Sequence, residues 1–416
     1  MPRVRRARVL LTGVLLLAPS LARAQPTPAP APAPAPGAVL LVAQPVAQPD
    51  AVRRPWRTGW FRDRDYFDPL IAEPRAPQIA FTFPAWIPEL QYSVEPGVRL
   101  AWEVSLGREI PIFTRANFDD ATRALVGSQG FGLWVDVSFH MIEDMGKDPS
   151  NPIINTDYRF SLAKLKYYRV VSVSPPTTGP NPVRRWKSFA VRADLYHHES
   201  THLGDEFVIN GQVAHPDFER QNVSFEFWDL AGAFNWEDGD GLLHSIRGGT
   251  TGLVNPSKGY YSDHTLAFPI ESQREVLKSE RNFEPYIQYE FHAPHRTKLD
   301  ADPFGPSGAP GASTAPGPQP GAGGFERPAR WAPFVSADVR RRIVLDFNKA
   351  SADVKEDTQW SVNLLGGIRS QSGNFRFAIR EIYARFYHGV NPHGQLRNQK
   401  DFWLAGFGVN FAVGDR

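Results

Sequence analysis

About twelve stretches of this sequence alternate between apolar and polar residues, and several run much longer than the ~5–6 residues of a typical soluble strand. In the clearest, Leu133, Val135, Val137, Phe139 and Met141 share one face, and Trp134, Asp136, Ser138 and His140 share the other. Phe189, Val191, Ala193 and Leu195 alternate with Arg192, Asp194 and Tyr196. Phe375, Phe377 and Ile379 alternate with Arg376, Ala378 and Arg380, and Trp403 to Phe411 with Gly406, Gly408 and Asn410. The runs lie near residues 78–84, 98–113, 130–142, 155–171, 185–200, 221–237, 241–253, 283–292, 331–347, 357–370, 373–388 and 400–413.

An even number of long strands with one apolar and one charged face predicts an all-β fold, a transmembrane antiparallel β-barrel of about twelve strands. Closure leaves no backbone edge unpaired in hydrocarbon, and the polar lumen explains why so polar a chain can still be a membrane protein. A secreted β-sandwich with one wet face shares the alternation and is the competing architecture. The tight turn Ser370 to Gly373 and the long connections Thr201 to Gln221 and Asp302 to Arg330 are expected at opposite ends, the long ones extracellular. Trp56, Trp60, Tyr66 and Phe67 precede the first strand and are candidates for an N-terminal plug.

The N-terminus predicts export. Arg3, Arg5, Arg6 and Arg8 precede the apolar run Val9 to Leu17, and Ala22-Arg23-Ala24 offers a small-residue cleavage site, so residues 1–24 read as a signal peptide. Residues 25–58 follow as a Pro/Ala-rich flexible spacer, and 59–416 as the barrel domain with a low-complexity loop at 302–330. Removing residues 1–24 removes five Arg and no acid, leaving 41 basic against 44 acidic residues, a balance that gives no electrostatic case for nucleic acid. With no Cys there is no disulfide framework and no lipoprotein acylation site. The expected location is the outer membrane of a Gram-negative bacterium. The expected partners are membrane lipid and, through the aromatic C-terminal strand Phe402 to Phe411, the barrel-assembly machinery.

The chemistry concentrates in Tyr196-His197-His198-Glu199-Ser200-Thr201-His202. His198, Glu199 and His202 spell H-E-x-x-H, which makes a zinc protease only on a helix; in a strand the two imidazoles stand ~13 Å apart. That match is read as accidental, and no metal or cofactor is expected. In a strand His198 and Ser200 share a face, close enough for an imidazole to accept a hydroxyl proton, with Glu226, Asp205 or Glu206 as the orienting acid. This pair resembles the His-Ser pair of outer-membrane phospholipase A and of the lipid A deacylases, which implies a lipid hydrolase with His198, Ser200 and Glu226 as its catalytic set. In those enzymes the pair faces lipid. Strict alternation from Arg192 and Asp194 instead turns His198 and Ser200 into the lumen, unless a bulge near His197 reverses the phase. On that phase the two join a lumenal polar cluster with Asp136, His140, Arg192, Asp194, Arg340, Arg376 and Arg380, and the protein is a structural or porin-like barrel with mixed charges inside.

Four stretches resemble a bacterial family catalogued as domain of unknown function 1207: Phe67-Asp68-Pro69-Leu70-Ile71-Ala72-Glu73-Pro74-Arg75, Asn155-Thr156-Asp157-Tyr158, Ser200-Thr201-His202-Leu203-Gly204-Asp205-Glu206 and His388-Gly389-Val390-Asn391-Pro392-His393-Gly394-Gln395. The resemblance spans about residues 60 to 411. It implies an exported outer-membrane barrel and supplies no activity.

Overall fold

The computed structural model describes residues 57–60, 70–74, 76–90, 97–117, 127, 129–146, 152–173, 186–205, 209, 223–238, 242–254, 283–292, 331–347, 354–370, 377–393, 396 and 399–413. The signal peptide, the spacer up to residue 56, the 302–330 loop, Trp56, Tyr66, Phe67, Glu206 and Arg376 lie outside them. Among the described residues thirteen strands form one sheet: β1 (Arg57–Trp60), β2 (Ile79–Ile87), β3 (Arg99–Ala116), β4 (Gln129–Asp144), β5 (Ile153–Val173), β6 (Trp186–Leu203) and β7 (Val223–Glu237), then β8 (Leu243–Leu253), β9 (Glu284–His292), β10 (Trp331–Phe347), β11 (Val354–Ser370), β12 (Phe377–Gly389) and β13 (Phe402–Val413). From β2 to β13 each strand pairs antiparallel with the next, and β13 returns to pair with β2, closing a twelve-stranded barrel. Among the described residues no helix is long and apolar enough to cross a membrane; these strands are the elements that can.

The thirteenth strand was not expected. β2 is only nine residues long and pairs β3 over Arg99–Ser105, which leaves the rest of that β3 edge without β2. β1 pairs Phe113–Ala116 on the same edge. The first wall strand is therefore interrupted, and part of the chain between its two pieces, residues 70–74 and 76–78, turns into the lumen. Ser105 Oγ donates to the Gln78 carbonyl at 3.2 Å. Gly107 lets the segment pass close to the wall, because a Cβ there would stand 2.9 Å from the Pro77 Cα.

The topology corrects one expectation about the loops. β2 starts and β13 finishes at one end of the barrel, called here the terminal end. Counting antiparallel strands, the β9–β10 connection, residues 293–330, and the β11–β12 connection, residues 371–376, both leave from that terminal end. The 302–330 insertion thus shares an end with the tight turn, and only the β6–β7 connection leaves from the other.

Faces alternate as lipid and lumen demand. Leu106, Val137, Leu162, Leu195, Leu230, Ile287 and Phe407 are exposed on the outer wall, while Asp136, Asp194, Asp338 and Arg340 are buried inside. The alternation slips at one level. On β5 two residues, Leu162 and Ala163, lie between the inward Ser161 and Lys164, and on β6 two residues, Leu195 and Tyr196, lie between the inward Asp194 and His197. The strands on either side, β4 and β7, have a single residue there. This double bulge exists because the polarity pattern demands it: with strict alternation, Asp157, Arg159 and Ser161 on β5 and Glu199 on β6 would face hydrocarbon. With the bulge, Arg159 Nε donates to Glu199 Oε2 at 2.8 Å inside the barrel.

Because the chain has no Cys, single-cysteine spin labels can read the phase directly. Nitroxides at 198, 200 and 202 are expected to collide with membrane-dissolved oxygen, and those at 197, 199 and 201 to be shielded; the reverse pattern would remove the bulge.

Candidate functional site on the outer wall

The lumen is crossed by ion pairs centred on the inserted segment. Glu73 meets Arg192 at 3.3 Å and Arg340 at 4.0 Å. Arg192 also donates to Asp229 at 2.9 Å and to the Tyr286 hydroxyl, and Arg340 donates to Asp338 at 2.7 Å while lying over the Tyr286 ring. The segment's backbone is held as well: Ile71 N–H donates to Glu290 at 3.1 Å, Ala72 N–H to Ser336 Oγ, and Asn363 Nδ2 donates to the Ala72 carbonyl at 2.7 Å. Ile71 and Ala72 pack on Phe334, Leu365 and Tyr383. Toward the end away from the chain termini, His393 projects from the β12–β13 connection between Asp157 and Glu103, 3.7 Å from each, and Leu90 and Leu396 join Ile87, Ile142, Ile154 and Leu404 in an apolar cluster.

On the other side of the wall stands a different group. Past the bulge, His197, Glu199, Thr201 and Leu203 are buried and inward, so His198, Ser200 and His202 face outward. His198 is directly opposite Phe160 on β5 and Glu226 on β7, and Ser200 is opposite Tyr158 and Ser224. Phe160 and Tyr158 are exposed, which fixes the face. His198 Nδ1 lies 3.7 Å from Glu226 Oε1, and its ring packs on Phe160 at 5.0 Å. Ser200 Oγ lies 3.3 Å from His202 Nε2, and the His202 ring meets Tyr158 at 6.0 Å. Ser200 therefore has an imidazole on each side along its strand.

Depth matters for such a group. Leu195 is the tenth of the 18 residues of β6 and belongs to the apolar band. At ~3.3 Å per residue and a tilt of ~40°, His198 and Ser200 sit roughly 8 and 12 Å along the barrel axis from it, near the edge of a ~25 Å apolar band. Phe139, Tyr158 and Phe160 form an aromatic belt at the same level. A second outer-wall group, Asp238, His244 and Tyr289, has its partners: His244 bonds Asp238 at 2.9 Å and the Tyr289 hydroxyl at 2.8 Å, leaving little of it available to a ligand.

The residues singled out from sequence divide accordingly. Asp136, His140, Arg192, Asp194 and Arg340 are buried in the lumen. His198 and Ser200 do not join them; the bulge at Leu195 and Tyr196 turns both outward. Arg380 does not join them either: it is the extra residue of a bulge between Ile379 and Glu381, its side chain is 43% exposed, and Glu381 takes the inward place. Asp205 is exposed at the end of β6, whereas Glu226 faces His198. The H-E-x-x-H residues split across the wall, with Glu199 inside on Arg159 and His198 and His202 outside, so they cannot assemble one zinc site. Two contributors were not singled out by sequence, the plug acid Glu73 and Lys164 in the bulge cluster; His202 was named only as part of the H-E-x-x-H match, not as a neighbour of Ser200.

Residues 24–263 match the family described as Protein of unknown function (DUF1207). The chain belongs to this family. No curated protein matches it. Among solved structures, outer membrane phospholipase A from Escherichia coli aligns at 10% identity over 82% of this chain and 93% of that one, with a TM-score of 0.33. The beta domain of the Bordetella autotransporter BrkA aligns at 10% identity over 82% and 99%, with a TM-score of 0.32. Both are outer-membrane-type barrels, and the likeness carries nothing about activity. Of the stretches noted for their resemblance to the family, Ile71 to Glu73, Asn155, Asp157, Thr201, Asn391 and His393 are all buried.

The plug supplies a test of the lumenal network. Burial alone would push the Glu73 carboxyl up, but Arg192 and Arg340 beside it hold it down at about 2. A depressed carboxyl contributes stability that is complete above its ordinary range near 4.5 and is lost as pH falls toward 2. Glu73→Gln is expected to lower unfolding stability at pH 7 by about 3 kcal/mol and to flatten the acid limb between those values. Urea unfolding of the detergent-refolded barrel at several pH values checks both.

Proposed function

We propose that this protein is an outer-membrane hydrolase of lipid acyl esters, with Ser200 as nucleophile, His198 as general base and Glu226 as the group that orients the imidazole. The observation that carries the reading is the face these residues occupy: His198, Ser200 and Glu226 point away from the lumen, and at ~3.3 Å per residue from Leu195 they fall roughly at the edge of the apolar band, where a bilayer holds its ester linkages. A lipid ester can reach Ser200 from the side without entering the barrel. Glu226 Oε1 stands 3.7 Å from Nδ1 of His198, longer than a hydrogen bond; closing that gap ties Nδ1–H to the carboxylate and leaves Nε2 as the nitrogen that takes the Ser200 proton when Oγ adds to the ester carbonyl. The lipid alkoxide then leaves with that proton, and water, deprotonated by the same imidazole, releases the fatty acid from Ser200. His202 holds the hydroxyl in the resting state, and a staggered χ1 change transfers it between the two rings.

The same reading places the chain in the outer membrane of a Gram-negative bacterium, exported by residues 1–24 and inserted through its C-terminal strand by the barrel-assembly machinery. On this reading the start of β2 and the end of β13 lie on the inner side of the membrane, and Ser200, toward the opposite end of β6, lies in the outer leaflet. A conducting role has less support, because residues 70–74 and 76–78 occupy the lumen and Glu73 is paired there with Arg192 and Arg340.

The test is hydrolysis of phospholipid and of lipid A in mixed micelles by refolded protein. Ser200→Ala and His198→Ala are each expected to lower the rate by about a thousand-fold with the fold intact, and His202→Ala by less than about ten-fold. A wild type without activity, or a Ser200→Ala variant that keeps it, would overturn the assignment.

A further inference from the structure

At the level of the double bulge, inside the wall behind His198, the carboxylates of Asp136 and Asp194 and the imidazole of His197 converge. One ligand-capable atom from each lies within 4.8 Å of the other two, and all three residues are buried. The bulge creates this meeting: Asp194 and His197 are three apart in sequence yet both inward, and His197 Nδ1 stands 3.1 Å from Asp194 Oδ2, already the spacing of two ligands on one metal ion. Ser161 Oγ donates to the other Asp194 oxygen at 2.6 Å and fixes its carboxylate. Asp136 Oδ1 and His197 Nε2 are buried with no hydrogen-bond partner, and Asp136 is only 1% exposed. So deep an unpaired carboxylate oxygen is costly and asks for a cation or a donor.

A cation is present in part. Lys164 Nζ contacts Asp136 and lies 3.8 Å from Asp194, and it also donates to Glu109 Oε1 at 2.6 Å. Lys166 bonds the second Glu109 oxygen. Glu109 thus holds both ammonium groups, while Asp136 and Asp194 share Lys164 with it. Lys164 has a second home on Glu109 when another cation takes the aspartates.

We propose that Asp136, Asp194 and His197 bind one divalent transition-metal ion inside the barrel, in exchange with the Lys164 ammonium. Two carboxylates and one imidazole form a donor set suited to zinc, with a further position open to water. Binding draws the ligands together by roughly 1 Å toward zinc distances of ~2.0–2.2 Å, a movement within reach of side-chain torsions. The proposal does not rest on the hydrolase reading, since none of these residues lies on the outer face.

Zinc alone, titrated into the refolded barrel in competition with a chromophoric chelator, tests this. The expected result is one ion per chain, a zinc-dependent rise in the unfolding midpoint, and affinity weakened about ten-fold or more by Asp194→Asn and by His197→Gln. Lys164→Gln is expected to tighten binding about ten-fold by removing the competitor. His198→Ala with His202→Ala controls for the outer-wall imidazoles and is expected to leave the ion bound. Absence of binding in both wild type and Lys164→Gln would overturn the proposal. So would binding lost only in the His198/His202 double variant, or binding that Asp194→Asn and His197→Gln leave unchanged. Far-UV circular dichroism confirms that each variant is folded, and the midpoint shift of the wild type decides where one is not.

Discussion

The double bulge in β5 and β6 is the constraint on which the site depends. A strand in a membrane wall has two solvents, lipid outside and a polar lumen inside, and its sequence must keep phase with both. Here the phase slips at the same level in two adjacent strands. A slip in one alone would misalign the Arg159–Glu199 pair, whose members stand directly opposite each other in the β5–β6 register. Slipping together keeps β5 and β6 in register and transfers the mismatch to the outer ladders with β4 and β7, where one residue faces two. The polar side chains at the slip, Ser161, Lys164, Asp194 and His197, bind one another, which clamps the bulge from inside.

The lumen follows from the same logic of two solvents. Inward charges that could not find partners would need a water-filled channel around them; these find each other and the Leu70–Gln78 segment. Breaking such buried pairs one at a time is much more costly than never having made them. The network is therefore a device for a single arrangement more than for raw stability: Glu73 fits only between Arg192 and Arg340, and Ile71 N–H only against Glu290. The plug is held at both backbone and side chain, unlike a loop that merely fills space.

How much of this was legible in the sequence depended on whether polarity announced the phase. On β13, Trp403, Ala405, Phe407 and Val409 against Gly406, Gly408 and Asn410 are unambiguous, and the strand and its faces follow directly. On β5 the slip itself is written out, since Leu162-Ala163 stands between Ser161 and Lys164 as two consecutive apolar residues. On β6 it is hidden, because Tyr196, His197, His198 and Ser200 are at home on either face, and hydrophobicity alone cannot say which. The plug was legible only through aromatic residues further upstream; the segment has no period, and the partners of Ile71, Ala72 and Glu73 lie 119 to 291 residues away. The Asp136, Asp194 and His197 cluster gave no motif, because its ligands come from two strands that do not adjoin.

The bulge also explains why one short segment can serve two chemistries. Consecutive residues in a strand look to opposite sides, so His197 and His198 are neighbours in the chain and strangers in environment. His197 stacks on the buried Phe227 ring and bonds Asp194; His198 packs on exposed Phe160 and faces Glu226. Any force that seats His197 more firmly, whether an ion on Asp136 and Asp194 or the Ser161 hydrogen bond, fixes the backbone of the bulge and so the direction in which His198 and Ser200 project. The inner cluster is thus the footing of the outer one. A wall only one strand thick carries position from lumen to lipid with no intervening packing to absorb it, which is why a lipid-facing serine and imidazole can be held in place without a pocket around them.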